Sequence, residues 1–155
     1  MKERKPEVTH KIMSAIHSKD TKPELSLRTE LWRRGLHYQK NKKTLPGKPD
    51  IAFVGIRLAV FCDGDFWHGH NWAIRDKYTS LEDELSHYSE YWAGKIRRNI
   101  ARDREEDERL SEMGWTVIRV WESEIKSDLP GCADRVERVY NELKKASRKK
   151  PVPTS

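Results

Sequence analysis

The sequence predicts an α/β sandwich, a central mixed sheet flanked by helices. Three observations predict it. Segments of helical and strand periodicity follow one another in the order α-β-β-β-α-β-α, a pattern that buries a sheet under helices. Two apolar runs meet at Gly55 as a hairpin, which supplies antiparallel strands. A later run, Trp115–Trp121, is continuously β-prone, as expected of a strand covered on both faces.

The elements follow from local chemistry. Residues 1–19 are basic and carry Ile12, Met13 and Ile16, which suits a short helix or an arm. Thr21 and Glu24 have capping-box spacing, and Pro23 falls in the first turn, where a missing N–H costs nothing. The helix they open takes an apolar side from Leu25, Leu27, Leu31 and Trp32 and ends at Gly35. Leu36–Asn41 reads as a short strand. Asp50–Val54 and Arg57–Asp63 read as the hairpin, with Val54 facing Arg57 and Asp50 facing Phe61. That register puts Ile51, Phe53, Leu58, Val60 and Cys62 on one face and Asp50 and Asp63 on the other. Gly64–Tyr78 reads as a loop. Leu85, Tyr88, Trp92, Ile96 and Ile100 form the stripe of a long helix from Leu81 to Met113, closed by Gly114. Ala133–Ala146 is a final amphipathic helix, and residues 147–155 read as a disordered tail.

Composition narrows the class. The 155 residues suit one domain, and neither a repeat nor a linker divides them. Hydrophobic residues are 35% and charged ones 36%, a lean core that six tryptophans and five tyrosines enlarge. The net charge of +6 favours nucleic acid or an anionic membrane surface as partner. No apolar run approaches a membrane span, and the charged start is not followed by a signal-peptide segment. Cys62 and Cys132, far apart, make neither a disulfide framework nor a zinc site by themselves. A reducing cytoplasm is the expected location.

The chemistry gathers around Asp50 and a short loop. Asp50 opens a buried strand, where a lone carboxylate would suffer desolvation. It reads either as a turn cap or as a ligand for a hard cation. Asp63, ending the next strand beside it, favours the metal. His68 lies among Asp63, Asp65 and His70, and an imidazole near neutral pKa suits a base that activates water. Phe66 and Trp67 share this loop; either alone would suit core packing, but as an exposed pair beside polar Asp65 and His68 they favour stacking on DNA bases. Lys95, Arg97, Arg98, Asn99 and Arg102 make a basic stripe. The acidic run from Glu105 to Glu108 would repel phosphate, so only the first half of that helix suits DNA. Glu24 already has a structural role in its capping box.

Taken together these segments resemble the very-short-patch-repair (Vsr-type) endonucleases, a branch of the restriction-endonuclease-like PD-(D/E)XK fold. The resemblance runs from about Thr9 to Ile125. It rests on Ile12 to Ile16, Asp20 and Thr21 with Glu24, Leu45 to Asp50, and Gly64 to His70. Tyr91 and Trp92 with Lys95 and Asn99, Arg102 with Asp103, and Gly114 to Glu122 complete it. It implies a Mg²⁺- or Mn²⁺-dependent endonuclease that nicks duplex DNA 5′ of the thymine in a T:G mismatch. By position, Asp50 corresponds to the metal-binding aspartate, Cys62 to a residue offering its backbone carbonyl, and His68 to the catalytic histidine. Asp103 would support a histidine, and Glu24 would hold metal-bound water. Phe66, Trp67 and Trp92 match aromatics that intercalate beside the mismatch. Met13 and Ile16 match a minor-groove wedge, which makes residues 1–19 a DNA-contacting arm before a nuclease domain at 20–146. Lys95 and Asn99 match residues near the mispaired bases.

Two departures stand out. The family commonly holds a structural zinc with three cysteines and a histidine. His70 remains here, but Asp65, Trp72 and Ser123 occupy the cysteine positions, so no structural zinc is expected and Trp72 is expected to pack in its place. The usual Thr-His before the glycine is Cys62-Asp63, where Asp63 could serve as a further metal carboxylate or could weaken phosphate binding by repulsion. The implied partner is double-stranded DNA, met by a monomer in the cytoplasm at the nucleoid, with repair proteins as further partners. Other readings are a Vsr-like nuclease of a mobile element or another DNA target, and a non-catalytic DNA-binding module.

Overall fold

The structure is a computed structural model that describes residues 21–149. The expected arm at 1–19, with Met13 and Ile16, lies outside the described residues. The first helix, α1 (Lys22–Arg33), begins as its cap chemistry requires: the Thr21 N–H donates to Glu24 Oε2 at 3.2 Å. It ends before Gly35, whose φ of +83° suits glycine. Leu27 and Leu31 are fully buried, whereas Leu25 and Trp32 face outward, so the apolar side is narrower than expected.

The sheet has the order β1 (Gln39–Lys40), β2 (Ile51–Phe53), β3 (Leu58–Asp63) and β4 (Thr116–Trp121). β1–β2 and β2–β3 are antiparallel, and β3–β4 is parallel. β2 and β3 pair Ile51 with Val60 and Phe53 with Leu58, the register that places Asp50 opposite Phe61. A 3₁₀ turn at Val54–Ile56 joins them, closed by Arg57 in the left-handed region at φ 51°. One sheet face carries Ile51, Phe53, Leu58, Val60, Ile118 and Val120 into the main core. Helices α1, α5 (Glu122–Ser127) and α6 (Leu129–Lys149) cover it with Leu27, Leu31, Ile125, Cys132, Ala133 and Val136. The other face packs Ala52, Ala59 and Phe61 under Leu110 of α4 (Glu90–Glu112). This is the expected sandwich.

Several expectations are corrected. The strand foreseen at Leu36–Asn41 shrinks to β1, and the loop 64–78 contains a short helix, α2 (Asn71–Ile74). The helix expected from Leu81 to Met113 is two: α3 (Leu81–Leu85) and α4. Two serine caps explain the break. Ser80 Oγ accepts from Asp83 N at 3.0 Å and Ser89 Oγ from Trp92 N at 3.4 Å, and each starts its own helix. β4 buries Ile118 and Val120 but leaves Val117, Arg119 and Trp121 half-buried, because α4 covers only part of that face. The final helix begins at Leu129 and continues to Lys149, past the expected start of the tail. Among the described residues no helix is long and apolar enough to cross a membrane.

Candidate active site

β2 and β3 are antiparallel and carry two acidic groups to the same end of the sheet. Asp50, just before β2, accepts a hydrogen bond from the Cys62 N–H at 2.7 Å. Its carboxylate also faces that of Glu24 from α1. Burial and the Glu24 carboxylate push Asp50 up to about 9, against the lowering effect of the Cys62 N–H. Glu24 is 4% exposed; its Oε2 meets Arg28 Nη2 at 3.1 Å. Its Oε1 is buried without a hydrogen-bond donor among the described residues. Two carboxylates pressed together with an unsatisfied oxygen form a donor set for a hard cation. The residues present therefore fit the divalent ion that the family resemblance implies. Burial, with Asp50, Glu24 and Asp63 nearby, pushes the Cys62 thiol well up, so only the backbone of Cys62 suits a ligand role.

The second group lies one residue further along β3. Asp63 is buried, and His68 Nε2 stands 3.7 Å from its Oδ1. On the other side of the ring, Nδ1 is hydrogen-bonded to Asp103 Oδ2 of α4. Burial disfavours the charged imidazole, but the hydrogen bond to Asp103 and the charges of Asp63 and Asp103 outweigh it. His68 therefore stands above its ordinary value. Burial is also the main force raising Asp63, offset by His68 and Arg119. Donor atoms of Asp63, His68 and Asp103 lie within 4.8 Å of one another, close enough to hold a metal ion, and Asp63 has a protein partner as well. Both its oxygens face Arg119 Nη1, at 3.2 and 3.1 Å. Sequence reasoning passed over Arg119, which sits inside an apolar run that reads as pure core. Its only signal there was a charge in the middle of a buried strand.

The histidine loop is braced against α4 and β4. Gly69 adopts φ +72°, and a Cβ there would come 2.6 Å from Ile100 Cδ1, so only glycine lets the loop lie this close. Asp65 Oδ1 accepts from Ser123 Oγ at 2.6 Å and meets His70 Nδ1 at 2.8 Å, while its Oδ2 accepts from Ser123 N at 3.0 Å. His70 stacks flat on Trp121, with centroids 4.0 Å apart. Trp72, expected to pack at this point, is instead 38% exposed. The link between the loop and the β4–α5 junction is a carboxylate–imidazole–hydroxyl network, because the Asp65 carboxylate reaches both His70 and Ser123.

The profile of the family described as DNA mismatch endonuclease Vsr matches residues 2–74. The Type II nicking enzyme V.NmeDIP of Neisseria meningitidis serogroup C is 39% identical over 143 residues, 92% of this chain and 93% of its own length. This chain belongs to the Vsr family. Its sandwich is the restriction-endonuclease-like fold of that family. The Type II nicking enzyme V.HpaIIP of Haemophilus parainfluenzae is 39% identical over 121 residues, 77% of this chain and 82% of its own. The DNA mismatch endonuclease Vsr of Escherichia coli (strain K12) is 35% identical over 116 residues, 75% of this chain and 70% of its own.

The Vsr-type aromatics are not free in this structure. Trp67 is 4% exposed, and Phe66 packs with Leu85, Ala93 and Ile96. The exposure expected for this pair is absent, because α3 and α4 form a small core that the loop closes. Trp92 is half-buried edge-on to Trp67, with centroids 5.8 Å apart. Lys95 Nζ sits 5.0 Å from the Trp67 ring centroid and 5.9 Å from that of Trp92. Asn99 is buried, donates to the Trp67 carbonyl at 3.2 Å and accepts from Arg102.

Proposed function

We propose that this Vsr-family protein is a metal-dependent DNA endonuclease that nicks one strand of duplex DNA 5′ of the thymine in a T:G mismatch. The observation that carries the reading is the buried confrontation of Asp50 and Glu24, with the Asp63 charge acting on both Asp50 and the Asp103-bound His68. Asp50, Glu24 and the Cys62 backbone carbonyl would hold Mg²⁺ or Mn²⁺. When bound, such an ion polarises the scissile phosphate and makes its water more acidic. His68 is the base. With Asp103 taking the Nδ1–H, Nε2 is left as the acceptor for a proton from water. Lys95 and Trp92, at the edge of the same helix, would meet the mispaired bases, and Phe66 and Trp67 would have to leave their packed positions to stack on them. Met13 and Ile16 would enter from the arm. The chain's similarity to a mismatch endonuclease and to two Type II nicking enzymes supports the nicking reading. The protein would act in the cytoplasm as a monomer, alongside repair proteins.

The test mixes the protein with matched and T:G-mispaired duplexes, with Mg²⁺, with Mn²⁺ and with EDTA. A single-strand nick 5′ of the mispaired thymine, lost in Asp50→Ala, is expected. Equal nicking of matched DNA would replace the mismatch reading with another DNA target. Binding without cutting under every divalent ion would leave only a DNA-binding module.

A further inference from the structure

Asp63 and Asp103 reach His68 from opposite sides of its ring. Two carboxylates around one imidazole leave the cluster negative even when the ring is protonated. A nuclease must bring an anionic phosphate to this place, so the excess charge opposes its task.

Arg119 of β4 answers that charge from inside the sheet. It pairs with Phe61 in the parallel β3–β4 ladder, so its side chain leaves the sheet on the face of Phe61 and Asp63. The guanidinium lies 4.1 Å from the centroid of the Phe61 ring. Nε donates to Asp107 Oδ1 at 2.8 Å, which fixes the side chain to α4. Nη1 meets both oxygens of Asp63 and stands 3.5 Å from Asp103 Oδ1, while Nη2 donates to the Asp103 carbonyl at 3.3 Å and lies 3.9 Å from Glu106 Oε1. The contacts close a ring: Arg119 to Asp63, Asp63 to His68, His68 to Asp103, and Asp103 back to Arg119. The planar fork is what lets one cation hold two carboxylates at a set separation.

We propose that Arg119 is a positioning residue for strand cleavage: it holds Asp63 and Asp103 on either side of His68 and supplies the resident positive charge that lets phosphate approach them. The inference rests on the hydrolytic role proposed for His68. It also assigns Asp63 to this ring in place of a metal-ligand role.

The test uses the full chain and single-turnover nicking with protein in excess over the duplex that the wild type cuts. Arg119→Met is expected to slow nicking about 100-fold, with DNA affinity changed less than about threefold. Arg119→Lys keeps the charge without the fork and is expected to fall between, within about tenfold of wild type. Guanidinium ion at about 50 mM is expected to raise the rate of Arg119→Ala at least about tenfold and to leave His68→Ala unchanged. A purely structural arginine would lower stability without a response to guanidinium. Arg119→Met nicking at the wild-type rate overturns this inference alone, as does loss of activity that neither lysine nor guanidinium restores. If Arg119→Met does not fold, Asp63→Asn with Arg119→Met is compared with Asp63→Asn. A slower rate in the double variant supports the role through Asp103, and an equal rate overturns it. A wild type that cuts no duplex sinks the nuclease reading together with this one.

Discussion

Replacing Asp50 with Asn should abolish nicking and, in the absence of divalent ions, make the protein more stable. The carboxyl group ordinarily titrates near 3.8 and is pushed to about 9 in the fold by burial and by Glu24. Between those two values the folded protein binds a proton that the unfolded chain has released. Stability therefore falls as pH rises through that window. At pH 7 the solution is about three pH units above the ordinary carboxylate value, and at ~1.36 kcal/mol for each the ceiling is about 4 kcal/mol. Relaxation and water entry should reduce the gain in Asp50→Asn to about 1–3 kcal/mol. The amide oxygen can still accept the Cys62 N–H, so the hairpin keeps its link. A divalent ion reverses the order: at about 100 times its dissociation constant it should stabilise the wild type by about 2.7 kcal/mol and the variant hardly at all. Urea unfolding from pH 5 to 9, with Mg²⁺ and with EDTA, reads all of this. An Asp50→Asn protein less stable than wild type in EDTA at pH 7, or one stabilised equally by Mg²⁺, would refute the reasoning.

Four more outcomes follow from the same geometry. His68→Ala removes the proposed base and should lower single-turnover nicking by about 10²–10⁴-fold, while thermal unfolding moves little. Asp65→Ala removes the acceptor of Ser123 and the partner of His70, and should cost about 1–3 kcal/mol in chemical denaturation, with looser protection of the histidine loop in hydrogen exchange. Trp67→Ala should destabilise the free protein by about 3–5 kcal/mol, since the ring is buried. The half-buried Trp92, changed to Ala, should instead appear mainly as about 1–3 kcal/mol of lost affinity for the mispaired duplex.

Much of the fold was legible because its signals are local. Thr21, Pro23 and Glu24 set the start of α1, Gly35 its end, and the tight connection at Gly55 fixed the β2–β3 register that puts Asp50 opposite Phe61. The α3–α4 break was missed because an uninterrupted apolar stripe from Leu85 to Ile100 outweighed Ser89, a cap that competes only weakly with helix continuation. The length of β1 and the two-sided burial of β4 were overread because both depend on which neighbours the sheet finds.

Residue types and their order determined the α/β class, the acidic and imidazole groups, the basic first half of α4, and the resemblance that placed the chain in its family. All of these are properties of single segments. Partnership was decided only in three dimensions: Glu24 against Asp50, Asp103 against His68, Arg119 closing the ring, and Trp67 tucked under the loop. Each of these joins segments brought together by the parallel β3–β4 pairing and the packing of α1 and α4 on opposite faces of the sheet. Periodicity says which face a side chain takes, but charge compensation and burial depend on what arrives at that face from elsewhere in the chain.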